Sequence, residues 1–170
     1  QIWGDILLHH PELVSELPED VTLLDWHYEA AEDYPSVRTF AASGRAFWVC
    51  PGTSSWNTLF PRIENANGNI RTLARLGAEQ GAQGLLNTDW GDHGHYQPLG
   101  QCWYGYIYGA EQAWSGGMTD DQAFESRFGR LFWGGYEMRL AAGETQETTY
   151  YLVLADSLEE AKRYIVLQDA

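Results

Sequence analysis

The stretch Ala82-Gln83-Gly84-Leu85-Leu86-Asn87-Thr88-Asp89-Trp90-Gly91-Asp92-His93-Gly94-His95-Tyr96 decides how this chain is read. It opens as a short apolar run bounded by glycine, the pattern of a buried strand. At the end of that run it collects two carboxylates, two imidazoles and a tryptophan. A strand whose chemistry-bearing residues all lie past its last apolar position fits an α/β sheet, where ligands bind beyond the carboxyl ends of the strands. Carboxylates can hold sugar hydroxyls or a metal, and an indole face stacks on the apolar face of a pyranose.

Working outward, three more units of the same kind stand upstream. Strand-like Gln1–Leu8 carries Trp3-Gly4-Asp5 and is followed by a short helical stretch, His10–Leu17. Val21–Tyr28 is a second strand, ending in Asp25-Trp26-His27-Tyr28, with a helix over Ser36–Ser43. Ala46–Cys50 is a third, broken by Pro51-Gly52 and leading into Thr53-Ser54-Ser55-Trp56-Asn57. Glu64–Gln80 reads as an amphipathic helix with Ile70, Leu73, Ala74 and Gly77 inward and Gly81 as its stop. Gly84–Thr88 is the fourth strand, and Trp103–Trp114 and Asp120–Trp133 are helices, the latter with Thr119 as N-cap. Alternating strands and helices at this spacing argue for a parallel sheet with right-handed crossovers. The tail differs: Glu137–Leu140 and Thr148–Ala155 alternate like a hairpin around Ala142-Gly143-Glu144. Ser157 then opens a capping box with Glu160 before Leu158–Leu167. A boundary is expected at Gly134-Gly135, giving 1–134 as one domain and 135–170 as a hairpin-helix segment.

One tryptophan at a strand end is more often core than site. Four in succession, Trp3, Trp26, Trp56 and Trp90, reverse that preference. Trp48 and Trp133 are assigned to the core, Trp103 and Trp114 to the outside of the sheet. His9 and His10 lie just before Pro11 and are given structural roles; Gly52, Gly91 and Gly94 permit tight turns. Arg62 and Glu64 are read as a surface pair of small energetic worth.

Composition narrows the partners. Net charge is −14 and Lys162 is the only lysine, which repels phosphate backbones and anionic membranes. Neither nucleic acid nor membrane is therefore an expected partner, and no apolar run reaches the ~20 residues needed to span a bilayer. Cys50 and Cys102 lack metal-type spacing and are expected as two buried thiols. No cofactor is expected. The chain starts inside a strand-like run with neither initiator Met nor signal peptide, so it is expected to be a piece of a longer protein.

From Gln1 to Trp133 the chain resembles the C-terminal half of a family 20 glycoside hydrolase, the β-N-acetylhexosaminidase type. The resemblance is carried by Ile2-Trp3-Gly4-Asp5-Ile6-Leu7 with Leu17-Pro18-Glu19-Asp20-Val21, by Asp25-Trp26-His27-Tyr28, by Cys50-Pro51-Gly52-Thr53-Ser54-Ser55-Trp56-Asn57 and by Thr88-Asp89-Trp90-Gly91-Asp92. It implies an α/β fold, a partial (β/α)8 barrel with these units as strands five to eight. It also implies a substrate-assisted retaining mechanism, in which the acetamide of the sugar attacks the anomeric carbon. The catalytic Asp-Glu pair of that family ends strand four, so it is expected upstream of Gln1 and no catalytic residue is assigned in this chain. What the resemblance assigns here is the sugar pocket: Trp3, Trp26 and Trp90 wall the subsite and Asp92 holds hydroxyls. Asp5, Tyr28, Trp56, Asn57 and Asp89 complete the candidate substrate-binding set. The family commonly places a Tyr and an Asp at strand seven, whereas this chain has Thr53-Ser54-Ser55-Trp56-Asn57. Asn57 would take the place of the Asp, and Tyr28 would supply the missing hydroxyl.

A complete barrel of this type takes about 250 residues. Half of one leaves two sheet edges open, which pairing with another copy would relieve. Two further readings are weighed against the glycosidase. One is a metal-dependent hydrolase using Asp89, Asp92, His93 and His95, against which the closely spaced side chains diverge. The other is a non-catalytic carbohydrate-binding module, which needs no upstream acid pair.

Overall fold

Four short parallel strands set the architecture: β1 (Ile2–Trp3), β2 (Leu23–Trp26), β3 (Phe47–Cys50) and β4 (Gly84–Leu85), hydrogen-bonded in the order β1-β2-β3-β4. The structure is a computed structural model that describes residues 1–94 and 96–132. The chain divides into two units, Gln1–Tyr136 and Glu137–Ala170. The expected tail hairpin, the Ser157–Glu160 capping box, His95 and the core role of Trp133 lie outside the described residues.

The register pairs Trp3 with Leu24, Trp26 with Cys50 and Val49 with Leu85, so all four strands end along one edge. An isolated bridge between Gly52 and Thr88 continues the β3–β4 pairing past the named strands. Helices form the links and follow the last strand: α1 (Asp5–His9), α2 (Pro35–Ala42), α3 (Ile63–Gln80), α4 (Trp103–Ser115) and α5 (Asp121–Phe132), with 3₁₀ turns at Pro11–Glu16 and Leu99–Cys102. The described unit is thus α/β, with about half of its residues helical.

One core lies between sheet and helices, where Leu23, Phe47 and Val49 meet Leu7, Val37, Phe40 and Leu73. A second joins α3, α4 and α5 through Ala66, Ile70, Tyr108 and Phe124. Ile70, Leu73, Ala74 and Gly77 are all buried. Gly81 adopts φ +79°, and bonds from Gly81 N to Ala78 O and from Ala82 N to Gly77 O close the helix end. That left-handed cap is what glycine provides.

Several elements differ from the sequence reading. The first strand does not run to Leu8. Its ladder ends at Gly4 N to Leu24 O, and Asp5–His9 turns helical with Leu7 buried, because so short an apolar run fits either element. Within the expected helical stretch His10–Leu17 the structure forms a 3₁₀ turn, Pro11–Glu16, with Pro11 at its start. Asp120, not Thr119, caps α5, its Oδ1 accepting from Ala123 N at 3.0 Å. Trp114 is 94% exposed and does not cover the sheet. Tyr108 and Gln112 sit on the inner face of α4, and Trp114, two residues past Gln112, is carried to the far side. Trp103 is also exposed, packing edge-on against Tyr106. Trp48 is half-buried and lies over Gly84, whose added Cβ would meet the indole at 2.7 Å. Arg62 pairs with Glu29 at 3.0 and 3.2 Å rather than with Glu64.

Candidate functional site

Each strand hands one tryptophan to the same edge. Trp3 and Trp26 are the last residues of β1 and β2, while Trp56 and Trp90 stand in the loops that follow β3 and β4. These four indoles, Tyr28, Asp5 and Asp92 line one cavity of about 380 Å³. Tyr28 is the hub. Its ring stacks on Trp26 at 5.0 Å, meets Trp56 edge-on at 5.1 Å and Trp90 at 6.4 Å, and Trp90 lies 5.8 Å from Trp3. Burial pushes the Tyr28 phenol above its ordinary range, partly countered by hydrogen bonding with Thr88 and Trp90, so the phenol stays protonated at neutral pH. Asp5 opens α1, and its Oδ1 accepts from Trp26 Nε1 at 3.3 Å, which fixes that ring at the mouth.

Among the described residues the lining carries two carboxylates and no cationic side chain. Flat apolar faces beside acceptor oxygens suit a hydroxyl-bearing neutral ligand and disfavour an anion. No protein-family model, curated protein or solved structure matches this chain.

Two members of the sequence-derived set do not reach the cavity. Asn57 is exposed in a left-handed turn at φ +57° and is not part of the lining. Asp89 is half-buried and bonded within the protein, to Ser55 Oγ and to the Tyr106 hydroxyl. As for the metal alternative, Asp92 faces the cavity while Asp89 is spent on hydroxyls. Among the described residues no group of three or more His, Cys, Asp or Glu is arranged to hold an ion.

Sequence reasoning missed the clamps that hold the loops. Asn69 is fully buried; its Oδ1 accepts from Gly52 N at 3.0 Å, and its Nδ2 donates to His27 O at 2.8 Å and to the Tyr34 hydroxyl at 2.9 Å. One turn earlier Asn65 accepts from Ala30 N at 2.8 Å and donates to Tyr28 O at 2.6 Å and Ser54 Oγ at 2.8 Å. Together they tie the loops after β2 and β3 to α3. Ser54 itself takes φ +54°, uncommon for a residue with a Cβ, and is held there by these bonds and by Arg62 N to Ser54 O. The signal was present in Asn65-Ala66-Asn67-Gly68-Asn69. Asparagine is a poor helix former, so two of them one turn apart on a helix face point to side-chain work.

Proposed function

We propose that this chain holds the terminal sugar of a glycan and contributes the C-terminal half of a (β/α)8 glycoside hydrolase barrel of the β-N-acetylhexosaminidase type. The observation that carries the reading is the convergence of Trp3, Trp26, Trp56 and Trp90, with Tyr28, Asp5 and Asp92, on one cavity at the carboxyl edge of a parallel sheet. Indoles at that edge supply stacking for a pyranose, and Asp5 and Asp92 supply acceptors for its hydroxyls. A charge-assisted hydrogen bond is worth about 1.5–3 kcal/mol, enough to select one hydroxyl stereochemistry over another. The strand order and parallel register support the barrel half. β1 and β4 are its outer strands, where further barrel strands or a second copy would pair. Bond cleavage would need the acid pair of the resembled family, to which no residue here is assigned.

The test is a titration of the chain with hexosamines and hexoses, followed by tryptophan fluorescence, beside an assay on aryl N-acetylglucosaminides. The expected outcome is quenching by at least one sugar without turnover by this chain alone. No quenching with any sugar contradicts the binding role. Turnover by the chain itself contradicts the assignment of the acid pair elsewhere.

A further inference from the structure

Asp89, one residue before a cavity-lining indole, does not face the cavity. Its Oδ1 accepts from Ser55 Oγ and its Oδ2 from the Tyr106 hydroxyl at 2.5 Å, while Thr53 Oγ1 and Ser55 Oγ lie 2.6 Å apart. Gln97 Nε2 donates to Ser55 O at 2.5 Å from the other side. The backbone pairing of the two chain segments runs out just before this point, at Thr88 N to Pro51 O and Thr53 N to Thr88 O, both 2.9 Å. Past it, the Ser55–Asp89 bond ties the two loops across the gap. Trp56 follows Ser55 and Trp90 follows Asp89. Trp90 packs on Tyr28 at 6.4 Å and on Trp3 at 5.8 Å, and the Ser55–Asp89 bond anchors the residue immediately before it.

We propose that Asp89 is a positioning residue: its carboxylate fixes the loops bearing Trp56 and Trp90 against each other and against α4, and so sets the width of the cavity those indoles line. A carboxylate suits the task, since it accepts from two hydroxyls at once. Burial works to raise the Asp89 pKa, and its hydrogen bonds with Ser55, Tyr106, Cys102 and Thr53 together outweigh it, holding the group below the usual carboxylate range. The charged acceptor is thus the form the network selects. The inference rests on the sugar-binding reading only for its affinity measurement.

The experiment compares D89A, S55A, Y106F and the double variant D89A/S55A in the full chain by near-UV circular dichroism, sugar titration and thermal melting. W56F and W90F define the dichroic band of the Trp56–Tyr28–Trp90 cluster. D89A is expected to remove at least half of that band and to weaken binding of methyl N-acetylglucosaminide about tenfold. S55A and Y106F should each remove part of the band, and S55A should remove nothing more once Asp89 is gone. An intact band in D89A overturns the proposal whatever happens to the melting temperature. So does an intact band with binding lost a hundredfold or more, which would put Asp89 on the sugar itself. Should D89A fail to fold, D89N preserves the volume; a partial loss of the band supports the proposal and a full band overturns it. Wild-type protein that shows the band but binds no sugar defeats the sugar reading, and the dichroism still decides the role of Asp89.

Discussion

Replacing Asn69 by alanine is the sharpest perturbation of the frame behind the cavity. The side chain is fully buried and makes three hydrogen bonds, to Gly52 N, His27 O and the Tyr34 hydroxyl. Alanine deletes all three. The Tyr34 hydroxyl keeps its bond to Glu29 O at 2.7 Å, so the lasting damage falls on Gly52 N–H and His27 C=O. Leaving a buried polar group unpaired costs about 1–3 kcal/mol, giving roughly 2–6 kcal/mol for the two, less whatever a water entering the vacated space restores. The expected loss is about 3 kcal/mol, or roughly 6–12 °C in Tm at the ~2–4 °C per kcal/mol typical of chains this size. Urea unfolding followed by far-UV dichroism measures it. Asn67→Ala is the internal control: that side chain makes a single bond, to the Tyr104 hydroxyl at 2.9 Å, and its Oδ1 has no partner among the described residues. It should cost about 1 kcal/mol. Equal losses at the two positions, or less than about 1 kcal/mol at Asn69, would refute the clamp argument.

Gly52→Ala should separate binding from stability. A Cβ there would lie 2.5 Å from Trp56 Cη2 and 3.0 Å from Tyr28 Cδ1, so the rings give way before the backbone does. Sugar affinity should fall about tenfold, equivalent to ~1.4 kcal/mol, with Tm nearly unchanged; unaltered affinity contradicts the placement of those rings at the binding surface. The two thiols give a pH-dependent check. Burial pushes Cys50 up to about 12 and Cys102 up to about 11, and the thiolate is the reactive form. At pH 8 the native chain should leave both unreacted with Ellman's reagent, and denaturation should release two. Prompt reaction of either in the native state refutes its burial.

Where a residue's neighbours along the chain determine its surroundings, the sequence was readable. Val21–Tyr28 and Ala46–Cys50 enclose β2 and β3, because continuous apolar runs mark strands covered on both faces. The helix ending at Gly81 followed from a 3.6-residue apolar stripe and a residue free to take positive φ. Seven of the nine candidate site residues were brought together by one topological fact, that all four strands end on the same edge. What the sequence does not carry is long-range. Asp89 and Asp92 are the same residue type three positions apart, and hydroxyls from distant segments, Ser55 Oγ and the Tyr106 hydroxyl on α4, draw Asp89 inward. Asn57 stands where the resembled family has an acid, yet it is exposed in a left-handed turn and outside the lining. The Asn65 and Asn69 clamps depend on loops 11 to 42 residues upstream coming to rest over α3.

The wall of the cavity also sets how tightly a single sugar can be held. Trp3 and Trp26 are each 36% exposed. An aromatic side chain presents about 150–250 Å², so a ligand covering the rest of each ring removes roughly 50–90 Å² from water. At ~25 cal/mol per Å² that is about 1.3–2.3 kcal/mol per ring. One or two charge-assisted hydrogen bonds to Asp5 and Asp92 add about 1.5–3 kcal/mol each. Association costs at least ~4 kcal/mol in lost freedom, which leaves a net near 4 kcal/mol and a Kd of about 1 mM. A titration confined to micromolar sugar would therefore miss the interaction, while one extended to tens of millimolar should saturate. Because the indoles are held by Tyr28 and by the loop clamps before any sugar arrives, little ordering is added on binding, and W3A and W26A should each weaken Kd by about tenfold. A monosaccharide Kd below about 10 µM, or full affinity after removing either indole, would mean that the binding energy comes from somewhere other than this aromatic wall.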